Sequence, residues 1–80
     1  MTNTVNDRQT FADFIDKLYQ DYKENSSTWI NKNLDEFLEA MSAYAKDIDG
    51  YYKNTNQNVN ADNPSWRVFA DILMGAKIYE

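Results

Sequence analysis

Residues 33–50, NLDEFLEAMSAYAKDIDG, carry the clearest structural pattern in this chain. Apolar side chains recur there at steps of three and four residues, the spacing of one face of an α-helix. Asn33 is a favourable N-cap, and Glu36 follows it three residues later. Gly50 is the residue type that most often closes a helix. The segment therefore predicts an amphipathic helix over residues 34–49.

A shorter pattern of the same kind precedes this segment. Apolar residues at helical spacing predict a helix over residues 11–23. Thr10 with Asp13 fits a capping box at its start. A cap at Asn6 or Asp7 instead would add one turn, so the helix is expected to begin at residue 7 or 11.

The third predicted helix covers residues 64–79, because Pro64 suits a first helical turn. This segment is apolar on most of its sides, with Trp66 and Phe69 expected in the core, so the other two helices should grip it. Gly75 inside it favours close approach of a neighbour. No segment alternates clearly enough to predict a strand. The predicted fold class is all-α, a small three-helix bundle.

Eighty residues suffice for one domain with a thin core, so residues 1–80 are expected to form a single helical domain. Residues 1–6 are expected to be a flexible N-terminus. Residues 51–63 are rich in asparagine and offer little to bury. We expect them to form a mobile loop between the second and third helices.

Composition excludes several classes of protein. The chain has no cysteine or histidine, which excludes zinc fingers, thiol nucleophiles and serine–histidine–acid triads. Its 13 acidic and 8 scattered basic residues give a net charge of −5, which argues against nucleic acid as a partner. No signal peptide is recognisable, and no apolar run approaches the ~20 residues of a membrane span. The protein is therefore expected to be cytoplasmic and not to bind a membrane.

Pairs of carboxylates one helical turn apart are the first candidates for catalysis or metal binding. Asp35 with Glu39 and Asp13 with Asp16 have this spacing. Both pairs fall on polar helix faces, whereas acid–base catalysis needs two carboxyl groups in different environments around one cleft. We therefore predict no catalytic residue, no cofactor and no metal site, and we expect that the protein is not an enzyme.

Large aromatic residues near the predicted loops are candidates for recognition. Such rings either close the ends of the bundle or stand exposed as anchors for a partner, and the sequence leaves both interpretations open. Acidic residues along one side of the second helix would face a basic partner. The candidate protein-binding residues are Trp29, Tyr51, Tyr52, Asp35, Glu39 and Asp49.

Several short motifs are spaced along the chain: Trp29-Ile30-Asn31, Phe37-Leu38-Glu39-Ala40-Met41, Asp49-Gly50-Tyr51-Tyr52, Pro64-Ser65-Trp66 and Ile78-Tyr79-Glu80. Over roughly residues 11–80 they resemble a family of short bacterial proteins catalogued as a domain of unknown function. Tyr44 stands where that family frequently has Trp, and its asparagine-rich loop is variable. The resemblance implies a stand-alone bacterial cytosolic domain and supplies no catalytic residue.

Three functions stay open at this point. A non-enzymatic protein-binding module, for example of immunity or inhibitor type, is favoured because an acidic surface speeds encounter with a basic protein partner. A homo-oligomeric structural domain is the alternative, since the broadly apolar third helix could leave surface uncovered in a monomer. A carboxylate-based, metal-dependent enzyme is the least favoured of the three.

Overall fold

The computed structural model describes residues 2–80 and contains three α-helices: α1 (Arg8–Asn25), α2 (Leu34–Asn54) and α3 (Trp66–Ala76). Two short 3-10 turns, Thr2–Thr4 and Ser26–Thr28, flank α1. No strand occurs within residues 2–80. The prediction of an all-α three-helix bundle is confirmed.

Asp7 and Thr10 fix the start of α1. The Asp7 carboxylate accepts a 2.8 Å hydrogen bond from the Thr10 backbone N–H, and Thr10 Oγ1 accepts a 3.1 Å bond from the Asp7 N–H. This reciprocal capping box satisfies N–H groups that a helix N-terminus leaves unpaired. The earlier of the two expected starts is therefore correct. Asp13 does not pair with Thr10, and its carboxylate accepts instead from Gln9.

The start of α2 agrees with the prediction, whereas its end does not. Asn33 Oδ1 accepts a 3.1 Å bond from the Glu36 N–H, as a cap should. Gly50 lies inside the helix, which runs on to Asn54. Asn56, at φ 57°, supplies the left-handed residue that ends it. The expected stop at Gly50 is wrong because Tyr52 continues the buried stripe for another turn.

The predicted bounds of α3 are too wide at both ends. Ser65 is the N-cap, since its Oγ accepts from the Val68 N–H at 3.1 Å, so Pro64 precedes the helix. At the other end, the N–H groups of Ile78 and Tyr79 both donate to the Gly75 carbonyl at 3.2 and 3.0 Å. These bonds close the last turn after Ala76.

Helix α3 is the centre of the bundle. It packs against both α1 and α2, whereas α1 and α2 contact each other little. The residues buried between α1 and α3 centre on Phe14 and Ala70. Those buried between α2 and α3 centre on Ile48, Tyr52 and Val68. The expectation that the third helix is gripped by the other two is thus confirmed.

Gly75 is the point of closest approach between α2 and α3. The ring of Tyr44 occupies the space that a Cβ at this position would need. Gly50 is the opposite case, because open space surrounds it. The close approach predicted for Gly75 is therefore present, and the neighbour is an aromatic side chain of α2.

The segment between α1 and α2 is tied to the end of α3. The N–H groups of Ile30 and Asn31 both donate to the Lys77 carbonyl at 3.1 Å. The Asn31 side-chain amide donates to the carbonyls of Ala76 and Tyr79, each at 2.8 Å. Helix C-termini leave carbonyl groups without intrahelical partners. Here the linker provides those partners.

Two predicted loops contain residues that pack in the interior. Val5, within the N-terminal segment expected to be flexible, is buried against the α1–α3 core, while Met1 lies outside the described residues. Residues 51–54, expected to begin a loop, are helical. Val59 and Ala61 pack against the α2–α3 core. None of the helices within residues 2–80 combines the length and apolar character needed to cross a bilayer.

Candidate functional site

An apolar groove separates α1 from the beginning of α2. It exists because both helices pack on α3 and hardly on each other. Its volume is about 460 Å³. Residues of all three helices line it, chiefly Ile15, Tyr19 and Tyr22 of α1, Leu34 and Phe37 of α2, and Leu73 of α3.

Trp29 closes one end of this groove. Its side chain is 6% exposed, and its ring packs edge-on against Tyr22 at 5.0 Å and stacks with Phe37 at 6.0 Å between centroids. The Tyr22 hydroxyl donates a 2.6 Å bond to the Lys32 carbonyl, which fixes the linker across the same end. Of the two interpretations left open for Trp29, the structure therefore supports the plug. The ring lines the closed end of the groove and is almost fully covered there.

A polar cluster holds the Trp29 plug in place. The Asp21 carboxylate accepts from Trp29 Nε1 and from Lys77 Nζ, both at 2.8 Å, and the Lys77 ammonium lies 5.5 Å from the centre of the Trp29 ring. The bond from Lys77, followed by those from Trp29 and Asn25, lowers the pKa of Asp21. The cluster joins α1, the linker and the end of α3.

The open length of the groove continues along α2 and α3. Leu34 and Leu38, one turn apart on α2, are 72% and 51% exposed. Phe69, one turn before Leu73 on α3, is 43% exposed. Residues four positions apart share a helix face, so these side chains extend the apolar surface beyond the groove itself.

The exposure of Phe69 and of Trp66, which is 36% exposed, corrects the expectation that both lie in the core. The reason is the position of α3. Because α1 and α2 pack on two different sides of α3, one apolar face of α3 stays exposed. Trp66 is covered only in part, by Phe11 at 5.3 Å between ring centroids.

The acidic candidates Asp35, Glu39 and Asp49 are all exposed. At 3.6 residues per turn they fall within about 80° of one another around α2. Asp35 and Glu39 directly follow Leu34 and Leu38, which turns them about 100° around α2 from those leucines, and neither lines the groove. Asp49 lies farther along the helix, 3.9 Å from Lys53 Nζ.

The two tyrosines of the candidate set have different environments. Tyr51 is 43% exposed, whereas Tyr52 is 1% exposed and belongs to the α2–α3 core. The Tyr52 hydroxyl donates to Asp71, and burial followed by this bond raises the pKa of that hydroxyl. Tyr51 is therefore the accessible one, and Tyr52 is a structural residue.

A second cleft, of about 620 Å³, lies on the other side of α1. Val5, Phe14 and Met74 line it together with charged residues that include Asp21 and Lys77. Those two charges already pair with each other at 2.8 Å. This cleft therefore presents fewer free groups than its size suggests.

The described residues offer no arrangement typical of a metal centre. Within residues 2–80, no group of three or more acidic side chains lies close enough together to hold a metal ion. Two carboxylates, Asp21 and Asp71, each pair with a basic or hydroxyl group that joins two parts of the fold. Their contacts are those of structural pairs.

A model of the family of unknown function DUF7660 matches residues 7–80. The chain belongs to this family. The resemblance proposed from the motifs is thereby confirmed at the level of the family. No curated protein and no solved structure matches the chain. Since the DUF7660 family carries no assigned function, a function for this member has to be argued from its own surface.

The exposed leucines in and beside the groove are the residues that sequence reasoning missed. Leu34 and Leu38 continue the apolar stripe of α2, and the stripe alone assigns them to the core. The sequence feature that could have indicated their exposure is the third helix, which is apolar on most sides. Such a helix can hold its two neighbours apart, and the edges of their stripes then stay in solvent.

Proposed function

We propose that this member of the DUF7660 family is a non-enzymatic protein-binding module, and that the groove between α1 and α2 is its docking surface. The observation that carries the proposal is the exposure of Leu34 and Leu38 beside a groove already lined by aromatic and aliphatic side chains. Contiguous exposed apolar surface on a small domain typically marks an interaction site.

The arrangement of rigid and exposed parts supports this role. The groove stands on helices, and its closed end is fixed by the Trp29 plug and the Asp21–Lys77 pair. A preformed apolar surface loses little conformational entropy when a partner binds. The net charge of −5 would speed encounter with a basic protein.

Capture of partners from a lysate of the source cells tests the proposal. Immobilised wild-type protein should retain a protein that Leu34→Glu does not retain, because the new charge enters the apolar groove. Ile78→Glu is the matched control, since Ile78 is 52% exposed and does not line the groove. It should capture the same protein as the wild type. If no captured protein distinguishes Leu34→Glu from Ile78→Glu, the groove is not a docking surface.

Self-association is the alternative that the same exposed apolar surface favours. Two copies would each bring a net charge of −5, which opposes close approach. Light scattering over a range of protein concentrations measures this directly. A molar mass that doubles with concentration in the wild type but not in Leu34→Glu would replace the binding module with a homo-oligomer.

A further inference from the structure

Beyond the proposed function, we propose that the cleft of about 620 Å³ on the other side of α1 binds a small zwitterion with an apolar body. This is the chemistry of an α-amino acid with a large apolar side chain. Small-molecule sites are typically concave and largely apolar, about 300–1,000 Å³ in volume, with a few polar groups that orient the ligand. Binding there does not depend on the docking groove, so the two sites can be tested separately.

Three parts of the chain enclose this cleft. One face of α1 forms the main wall, Thr4 and Val5 before α1 form the second, and Met74 with Lys77 at the end of α3 forms the third. The floor is the buried cluster between α1 and α3. Val5 and Phe14 are 4% and 8% exposed there, and Met74 packs against them. An apolar side chain entering the cleft would therefore meet a preformed apolar surface.

Four charged side chains line the cleft, and two of them neutralise each other. Asp21 and Lys77 form an ion pair at 2.8 Å, and the Asp21 carboxylate also accepts from Trp29 Nε1. These two charges are thus engaged within the fold. The other two belong to Asp13 and Lys17.

Asp13 and Lys17 remain accessible to a ligand. The Asp13 carboxylate accepts a 3.0 Å hydrogen bond from the neutral Gln9 side chain, and Lys17 forms no ion pair with any residue in the range 2–80. Both side chains are exposed. They lie four positions apart on α1, which places their Cβ atoms about 6 Å apart on one face of the helix. A carboxylate and an ammonium therefore border the apolar floor side by side.

This pair of charges favours a zwitterion over a simple anion or cation. A ligand with one ionised group would gain one charge-assisted hydrogen bond, to Asp13 or to Lys17. A ligand with both groups would gain two, since its ammonium donates to Asp13 and its carboxylate accepts from Lys17. Such bonds are stronger than bonds between neutral groups. The apolar side chain of the ligand would then lie over Phe14 and Met74.

Four small molecules at neutral pH test the inference on the full chain. Phenylalanine carries both charges and a ring, whereas hydrocinnamate lacks the ammonium, phenethylamine lacks the carboxylate and glycine lacks the ring. Chemical shifts of the backbone amides report both the affinity and the position of the ligand. Phenylalanine should shift the amides of residues 10–21 and 74–77. Its dissociation constant should be on the order of 1 mM, and the other three should bind about fivefold or more weakly.

Variants at the two charges assign the contacts. Lys17→Gln should remove the preference for phenylalanine over phenethylamine, because the ligand carboxylate loses its partner. Asp13→Asn should remove the preference over hydrocinnamate in the same way. Removing both members of a pair in this manner measures their mutual interaction. Asp16→Asn and Lys23→Gln are the matched controls, exposed on the same helix but outside the cleft, and should leave all four affinities unchanged.

Three outcomes overturn the inference. Unchanged amide shifts up to about 20 mM phenylalanine would show that the cleft takes no such ligand. Equal binding of phenylalanine, hydrocinnamate and phenethylamine would remove the role of the two charges. Equal weakening by Lys17→Gln and Lys23→Gln would place the ligand outside the cleft. Thermal melts of all variants confirm that each is folded.

Leu34→Glu separates this site from the docking groove. Leu34 lines the groove and not the cleft, so this variant should bind phenylalanine as the wild type does. A variant that loses its captured protein and keeps phenylalanine supports two independent sites. Loss of phenylalanine binding in Leu34→Glu would contradict the placement of the ligand in the cleft.

Discussion

The hydroxyl of Tyr52 donates a 2.5 Å hydrogen bond to the Asp71 carboxylate in the interior between α2 and α3. Both residues are buried, and Arg67 Nε lies 3.6 Å from the same carboxylate oxygen. The Arg67 guanidinium in turn bonds to Gln57 just beyond α2. A bond to an ionised acceptor is stronger than a neutral one, so this pair fixes the register of α2 on α3.

Tyr52→Phe tests the strength of this contact. The change keeps the ring and removes the donor, so the buried Asp71 loses a partner. The free energy of unfolding should fall by about 1–3 kcal/mol, measured by urea denaturation. Tyr51→Phe is the matched control on the exposed neighbour, and its effect should stay within about 0.5 kcal/mol. Equal effects of the two changes would show that the bond to Asp71 contributes nothing to stability.

The two glycines should respond in opposite directions to the same substitution. Gly75→Ala places a methyl group where the Tyr44 ring lies, and such overpacking should cost about 1–3 kcal/mol. Gly50→Ala adds a methyl group in open space inside α2 and should stabilise the protein by about 0.5–1 kcal/mol. Thermal and urea unfolding of both variants measure the difference. A stabilised Gly75→Ala protein would contradict the close packing of Tyr44.

Tyr44 makes the stability of the bundle sensitive to alkaline pH. Burial, followed by the nearby Tyr51 and Asp71, raises the pKa of Tyr44 to about 12. The unfolded chain releases this proton near pH 10, so the contribution of Tyr44 is complete below about pH 10 and is lost as the pH rises through about 12. The unfolding free energy should therefore decline over that range.

Near-ultraviolet absorbance of tyrosinate follows the ionisation directly. Tyr44→Phe should remove a step near pH 12 and weaken the alkaline decline in stability. A Tyr44→Phe protein with an unchanged titration curve would show that the ring ionises with ordinary tyrosines.

Asp21 makes the stability of the bundle sensitive to acidic pH. Because Lys77 and Trp29 hold the pKa of Asp21 below its ordinary value, its contribution is complete above the unfolded value of about 3.9 and is lost as the pH falls through the folded pKa. Asp21→Asn should therefore lose stability less steeply below about pH 4 than the wild type. If the free energy of unfolding falls equally steeply with pH in the wild type and in Asp21→Asn, the pairing of Asp21 with Lys77 is contradicted.

The sequence was sufficient for the helices because their signals are local. Apolar spacing located all three, and the Asn33 cap placed the start of α2 correctly. Local signals failed where a tertiary contact decided the outcome. Gly50 is a good helix terminator, yet the burial of Tyr52 extends α2 past it. Helix α2 then ends at Asn54, and the residue with positive φ that follows it is Asn56, whose short polar side chain tolerates this conformation.

The candidate site was harder to predict because exposure depends on how helices are arranged. Trp29 lies in a linker, where composition alone does not decide between a plug and an anchor. Its hydrogen bond to Asp21 depends on the tertiary structure and is not visible in the sequence. Leu34 shares a stripe with buried residues, although α1 stays too far away to cover it. Asp35 and Glu39 needed only helical periodicity, and their place on one side of α2 follows from it.

The central position of α3 has a consequence for how the newly made chain folds. α1 and α2 leave the ribosome first, each with an apolar stripe whose main partner has not yet been synthesised. Since these two helices contact each other little, neither can bury its stripe until residues 66–76 have emerged. The domain should therefore acquire its core in one late step, and its first two stripes are the surfaces that a molecular chaperone would meet during translation.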